Sequence, residues 1–522
     1  MKKNSGSGFL QGFSRFTQWL VGGLFLLLGA LVLVNGMLLP AQYSSVSHFA
    51  VVLVFLGTAA LTLFYGYWGT VFQIIGPRFS SLFEKKSTRG ILFGLLLFLC
   101  FGVRLVWVLK FQIEPKVDYY TMYHAGECLA EQFDISGLQE YLPRYIALFP
   151  HIFGYASFLS LIFLIFGTSP MVAVVTNVVL STISMALLYY IAWRLSGPVM
   201  AILASLIWCF YPSQIIFNML VLSEPYYTML LLAGAALLLL LRDKLSWAWW
   251  KLALGGAALG AVLALANSAR PVSAIFIIAI AVVLFVLEPL AKNPVVGKKA
   301  IILLSLCIVY FLGNSVNETL FESRIGEAPA SMPGFNVLVG FNPETTGKWS
   351  AEDSELLSQY NNMEGLSARE VQSAMLDAAF ERITSGTVNF PKLFYSKLQV
   401  LWESDDAAVA YGKEGIPHAN GFSALCNGYY YLTWLLAMFG MWQLLRSKKH
   451  ILFYLFPLYL IGLTMAHMLV EVALRYHYSG IPCLVLLAAF GLQELGKASL
   501  KRAETAHNPF EKAKETTLNP TH

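Results

Sequence analysis

The sequence predicts an all-α polytopic membrane protein, and its composition and apolar runs are the reason. Of 522 residues, 57% are hydrophobic and 12% charged, and the mean hydropathy is +0.63. The apolar runs approach the roughly 20 residues of a membrane-crossing helix and lack the alternation of barrel strands. Backbone groups in lipid must pair within their own segment, so such runs fold as helices. The six cysteines, Cys100, Cys128, Cys209, Cys307, Cys426 and Cys483, show no CxxC spacing, which predicts neither a disulfide framework nor a zinc site.

Hydrophobic segments lie near 17–38, 48–69, 90–110, 171–193, 198–217, 225–241, 251–268, 271–289, 299–316, 426–445, 450–470 and 478–496, giving about 12 spans. The first run has no small-residue cleavage site and is expected to stay in the mature chain. Basic stretches at "MKK", "RFSSLFEKKSTR", "RDKLSWAWWK", "KNPVVGKK", "RSKKH" and the tail from Lys497 should all face the cytoplasm. They do so together, with both termini inside, if the further apolar segment 150–166 is a re-entrant or interfacial helix. The alternative, that 150–166 crosses and another segment does not, stays open.

This topology divides the chain into an N-terminal two-helix extension (1–89), a transmembrane core (90–316) with a first outer loop at 111–170, a large extracytoplasmic loop (317–425), C-terminal transmembrane helices (426–496) and a polar cytoplasmic tail (497–522). Within the large loop, Ser367 and Glu370 form a capping-box pattern before an apolar-periodic run that Gly386 should stop. Phe390, Leu393, Phe394, Leu398, Leu401 and Trp402 then fall on one helical face, as on a helix lying along the membrane surface.

Polar residues of interest gather at the expected outer helix ends: Asp118, Ser223 and Glu224, Asn267 and Arg270, Glu471 and Arg475. Arginines there run against the positive-inside bias, which points to an anionic ligand such as a lipid phosphate. Each has a plainer reading. Asp118 is a solvated loop residue beside Lys116; Glu224 complements a helix N-terminus ahead of Pro225; Arg475 pairs with Glu471 four residues earlier; Arg104 snorkels. Glu127, Glu131 and Asp134 read as the wet face of a surface helix, with Tyr120, Tyr123 and His124 at the membrane interface.

Sugar transfer outside the cell requires a donor carried across the bilayer on a polyprenyl phosphate. The reaction needs a carboxylate to take the acceptor's proton and cations to hold the departing phosphate. Four motifs in order resemble the GT-C glycosyltransferases of the protein mannosyltransferase and aminoarabinose transferase type. They are "VDYYTMYHAGECL" with Asp118, Met122, Tyr123 and Ala125; "YPSQIIFNMLVLSEPYY"; "NSARP"; and "LRYHYSGIPCLVLLAAFGL".

The resemblance implies a GT-C-like bundle and a bacterial cell-envelope enzyme that moves a monosaccharide, with inversion, from undecaprenyl phosphate to a wall glycan, teichoic acid, lipid or protein. No nucleic acid partner is expected. Asp118 is then the base, Arg270 and Arg475 the phosphate clamp, and Glu224, Tyr123 and Tyr476 substrate-binding residues. A divalent metal is left open as a cofactor, because Tyr119 stands where many relatives carry a second acid. The rival class is a transporter or flippase, which would place ionisable residues at mid-membrane and show related halves; neither pattern appears. A noncatalytic envelope-assembly subunit is the third possibility. Walker A, HExxH and GxSxG motifs are absent.

Overall fold

A computed structural model describes residues 5–38, 50, 52–54, 56–61, 85–132, 141–288, 293–447 and 451–498. Asp134, the initial basic tripeptide and most of the expected tail lie outside the described residues. No strand occurs among the described residues, and long helices dominate. Eight of them are long and apolar enough to cross a membrane: Gly8–Met37, Lys86–Lys110, Pro170–Ser196, Glu224–Asp243, Trp249–Ala269, Val295–Ile325, Ile451–Leu469 and Leu474–Ala498.

The bent pair Pro198–Cys209 and Pro212–Met219 makes a ninth if counted as one span. The expected span at 48–69 lies largely outside the described residues. Ala274–Leu287 is a shorter apolar helix, and Ala419–Arg446 is long enough but carries Asn420, Ser423, Asn427 and Thr433. The His151–Phe166 helix has 16 residues, about 24 Å at 1.5 Å per residue, short of a hydrocarbon core of about 30 Å.

The break in the bent pair, 59°, follows from Pro212, which has no N–H to continue the helix and holds Tyr211 extended. It frees carbonyls at the end of the first half, and Arg104 takes them. Fully buried, Arg104 donates from Nη2 to the Trp208 carbonyl at 2.8 Å and from Nη1 to the Cys209 carbonyl at 3.2 Å. It therefore does not snorkel: a cation at a helix C-terminus satisfies orphan acceptors and complements the dipole.

Charges also order the opposite end of the bundle. Glu288 pairs with Arg242 at 2.9 Å and with Lys299 at 2.5 Å, and Arg194 pairs with Asp243. Arg242 and Lys299 thus lie at the ends of helices whose other ends reach the cavity described below.

The segment expected as a large loop is a set of short helices: Gly334–Gly340, Ala351–Asn361, Ala368–Thr384, Phe390–Trp402 and Ala407–Tyr411. Ser367 and Glu370 form the reciprocal capping box, and Gly386 at φ 77 follows the helix end. The Phe390–Trp402 helix buries Leu393, Leu401 and Trp402 against the protein rather than presenting them to lipid. Its Lys397 is fully buried and donates to the carbonyls of Gly340 (2.8 Å), Met468 (3.0 Å) and Val470 (2.7 Å). These three bonds fasten the Phe390–Trp402 helix to Gly340 and to the chain that leads into residues 471–476.

Small residues set how closely helices approach beneath the cavity. A Cβ on Gly154 would lie 2.1 Å from the Ser268 carbonyl oxygen, so Gly154→Ala must push the His151–Phe166 helix away from Trp249–Ala269. Overpacking of this kind costs about 1–3 kcal/mol. The expected result is a lower thermal unfolding midpoint in detergent; an unchanged midpoint would show that the helices are not in contact there.

Candidate active site

Where the long helices meet the short helices between Gly334 and Tyr411 they enclose a cavity of about 1760 Å³. Asp118, Glu224, Arg270, Arg475 and Tyr476 all line it, although they are brought there by four separate parts of the chain. Each is delivered by a helix end. Val117 takes a left-handed backbone, φ 52, rare for a β-branched residue, and Asp118 opens the next helix. Glu224 opens Glu224–Asp243. Arg270 follows Ala269 in extended conformation, its N–H donating to Ala266. Arg475 and Tyr476 sit on a tight 3₁₀ turn, Leu474–Gly480.

The four charged groups form one chain of ion pairs. Arg270 Nη1 lies 2.6 Å from Glu224 Oε1; Arg475 Nε lies 3.6 Å from the same oxygen; and Arg475 Nη2 donates to Asp118 Oδ2. Tyr476 separates the two guanidinium groups, Arg270 lying 5.1 Å and Arg475 5.7 Å from its ring. The ring of Tyr411, from the short helix Ala407–Tyr411, lies 5.2 Å from the Arg475 guanidinium. Cation–π contacts of this type hold a guanidinium in place without neutralising it.

The plainer sequence readings fare unevenly against this geometry. Lys116 pairs with Glu414, not Asp118. Ser223 makes no side-chain cap, and the Glu224 carboxylate turns to the arginines instead. Glu471 and Arg475 form no ion pair among the described residues, because Glu471 precedes the 3₁₀ turn and helical four-residue spacing does not apply. Tyr123 is the site residue placed elsewhere. It is buried, its hydroxyl donates to the Thr168 carbonyl, and its ring packs on Phe163 at 5.6 Å. His124 pairs with Glu127 at 2.7 Å. Tyr119 is buried and does not line the cavity.

The donor set does not fit a divalent cation. Asp118 and Glu224 are both engaged by guanidinium groups, and no group of three His, Cys, Asp or Glu side chains comes together among the described residues.

Sequence spacing gave no signal for Tyr411, which is placed by tertiary contacts, whereas Glu471 was among the polar residues at expected helix ends and does line the cavity. Burial pushes the Glu471 carboxyl up to about 7 from 4.5, opposed by Arg475 and Tyr476 and reinforced by Asp118. A folded-state pKa above the unfolded value means that the native state holds more protons between the two. Stability is therefore fully present below about 4.5 and lost as pH rises towards 7. Glu471→Gln should flatten the pH dependence of the unfolding midpoint across that window. An unaltered slope would place the carboxyl in water.

Residues 151–316 match the family described as dolichyl-phosphate-mannose-protein mannosyltransferase. No curated protein matches the chain by sequence. Among solved structures, the archaeal oligosaccharyltransferase AglB of Archaeoglobus fulgidus, in complex with an inhibitory peptide and a dolichol-phosphate, is similar with a TM-score of 0.46 and 10% identity. The similarity covers 84% of this chain and 53% of that one, so the chain spans about half the length of AglB. ArnT of Cupriavidus metallidurans, bound to undecaprenyl phosphate, gives a TM-score of 0.30 and 11% identity over 74% of this chain and 77% of that one. The family match covers residues 151–316, a little under a third of the chain.

Proposed function

We propose that the protein transfers a monosaccharide, with inversion, from a polyprenyl phosphate, undecaprenyl in a bacterial host, to a cell-envelope acceptor on the outer face of the membrane. The observation that carries this is the convergence of Asp118 with two arginines on one cavity. Asp118 takes the proton of the acceptor hydroxyl as it attacks the anomeric carbon. The glycosidic bond to phosphate breaks, and Arg270 and Arg475 stabilise the charge left on the phosphate. A phosphate needs no strong acid to depart.

Glu224 holds both guanidinium groups, and Tyr476 spaces them. The size of the cavity leaves room for an acceptor beside the donor, with Asn317, Lys392 and Gln399 on its walls. The outer location is supported by helix direction. Glu224 and Arg270 stand at cavity ends of helices whose far ends carry Arg242 or Lys251, and the helix bearing Lys298 and Lys299 near its start reaches the cavity at Asn314 and Asn317.

The test compares polyprenyl-linked sugars and envelope glycans in strains with and without the gene. Loss should remove one sugar substituent from an envelope polymer and leave its lipid-linked donor to accumulate. Identical profiles for both pools would sink the proposal.

A further inference from the structure

We propose that Arg475 is an exchange group that makes the base available when the donor phosphate arrives. In the free protein its guanidinium neutralises Asp118; an entering phosphate takes the guanidinium and releases the carboxylate, so the donor binds before the acceptor is activated. This rests on the function proposed above and adds an order of events to it.

The charge count comes first. Asp118, Glu224, Arg270 and Arg475 are formally two anions and two cations joined in sequence, so the cluster itself carries no surplus positive charge for a phosphate. An anion entering this cluster must displace a carboxylate from an arginine rather than add to a vacant cation.

Exposure decides which carboxylate yields. The Glu224 side chain is 3% exposed and stays against Arg270 at 2.6 Å, whereas the Asp118 side chain is 36% exposed at the cavity edge. Water can accept a released Asp118 but cannot reach Glu224, and freeing a buried carboxylate costs far more than freeing a wet one.

Arg475 also has donor capacity to spare. Its Nη1 and Nε are buried without a hydrogen-bond partner, which orients unused N–H groups for a further acceptor with several oxygens. The Tyr411 and Tyr476 rings support the guanidinium whether its acceptor is carboxylate or phosphate. Exchange therefore needs a change of partner and little movement.

The prediction runs opposite to the usual effect of disabling an active site. Asp118→Asn should bind undecaprenyl phosphate more tightly than wild type, by about tenfold, the equivalent of about 1.4 kcal/mol of competition removed. The measurement is titration of the full-length protein in nanodiscs with undecaprenyl phosphate, with inorganic phosphate and with undecaprenol. Both phosphate-bearing ligands should gain, and the alcohol should not. Glu381→Gln, which removes one exposed charge on the outer helices, should leave all affinities unchanged.

Unchanged or weaker phosphate binding by Asp118→Asn overturns the exchange, as does equal tightening by Glu381→Gln or for undecaprenol. Should the Asn variant not fold, Asp118→Ala reads the same difference. The binding result is independent of transfer. A variant that binds more tightly yet still transfers sugar would refute Asp118 as base while leaving the exchange intact, and the reverse pattern would refute the exchange alone.

Discussion

Replacing Asp118 by asparagine is expected to lower the rate of sugar transfer by about two to four orders of magnitude, the usual contribution of a positioned general base. Asparagine keeps the shape of the side chain and offers an oxygen to Arg475, so the ion-pair chain loses one charge but not its geometry. It cannot accept the proton of an attacking hydroxyl. The Asp118 side chain is 36% exposed, and an ion pair so open to water adds little to stability. The variant should therefore unfold near the wild-type temperature. Release of polyprenyl phosphate by the purified protein, followed at saturating donor, gives the rate. A loss smaller than tenfold would remove Asp118 from the chemistry.

How much of this was legible in the sequence depends on whether local or distant contacts place the residue. Apolar runs set the long helices because lipid allows the backbone no other solution. The capping box at Ser367 was legible for the same local reason: both partners lie within one turn. Asp118, Glu224, Arg270 and Arg475 could be singled out because arginines at the expected outer helix ends run against the positive-inside bias and sit there with acids, but their partners could not.

Glu224 and Arg270 are separated by two helices and the connection between them, and Arg475 meets Asp118 across most of the chain. Helical spacing misdirected Arg475 towards Glu471, since a 3₁₀ turn intervenes, and it gave no hint that Arg104 would cap a helix broken at Pro212. Tyr123 fitted the motif yet turned into the packing around Thr168 and Phe163. Helix ends were harder to read: the apolar run 271–289 forms the shorter helix Ala274–Leu287, whereas 150–166, expected to be re-entrant or interfacial, forms a helix of 16 residues. Hydropathy sees composition and does not see where a helix starts.

The second large effect is on stability. Glu224→Ala should destabilise the fold by about 3–5 kcal/mol, the cost of stranding the partners of a buried ion pair. Glu224 is buried between Arg270 at 2.6 Å and Arg475 at 3.6 Å, and without it two guanidinium groups share one Tyr476 ring with Asp118 as the remaining carboxylate of the chain. Gln in its place restores volume and one acceptor oxygen, so its loss should be smaller. Removing a cation as well, in Glu224→Ala with Arg270→Met, should recover part of the deficit, because the pair is then replaced by apolar volume and no charge is stranded.

Thermal unfolding in detergent measures all three variants. Equal midpoints for Glu224→Ala and a surface change such as Glu381→Ala would mean that the carboxylate does not bridge the arginines. A ligand distinguishes this bridge from an ordinary structural ion pair. Phosphate bound to the stranded guanidinium groups stabilises the native state by mass action, so undecaprenyl phosphate should raise the midpoint of Glu224→Ala by more than it raises that of wild type. An ion pair with no part in holding an anion would leave the two increments equal.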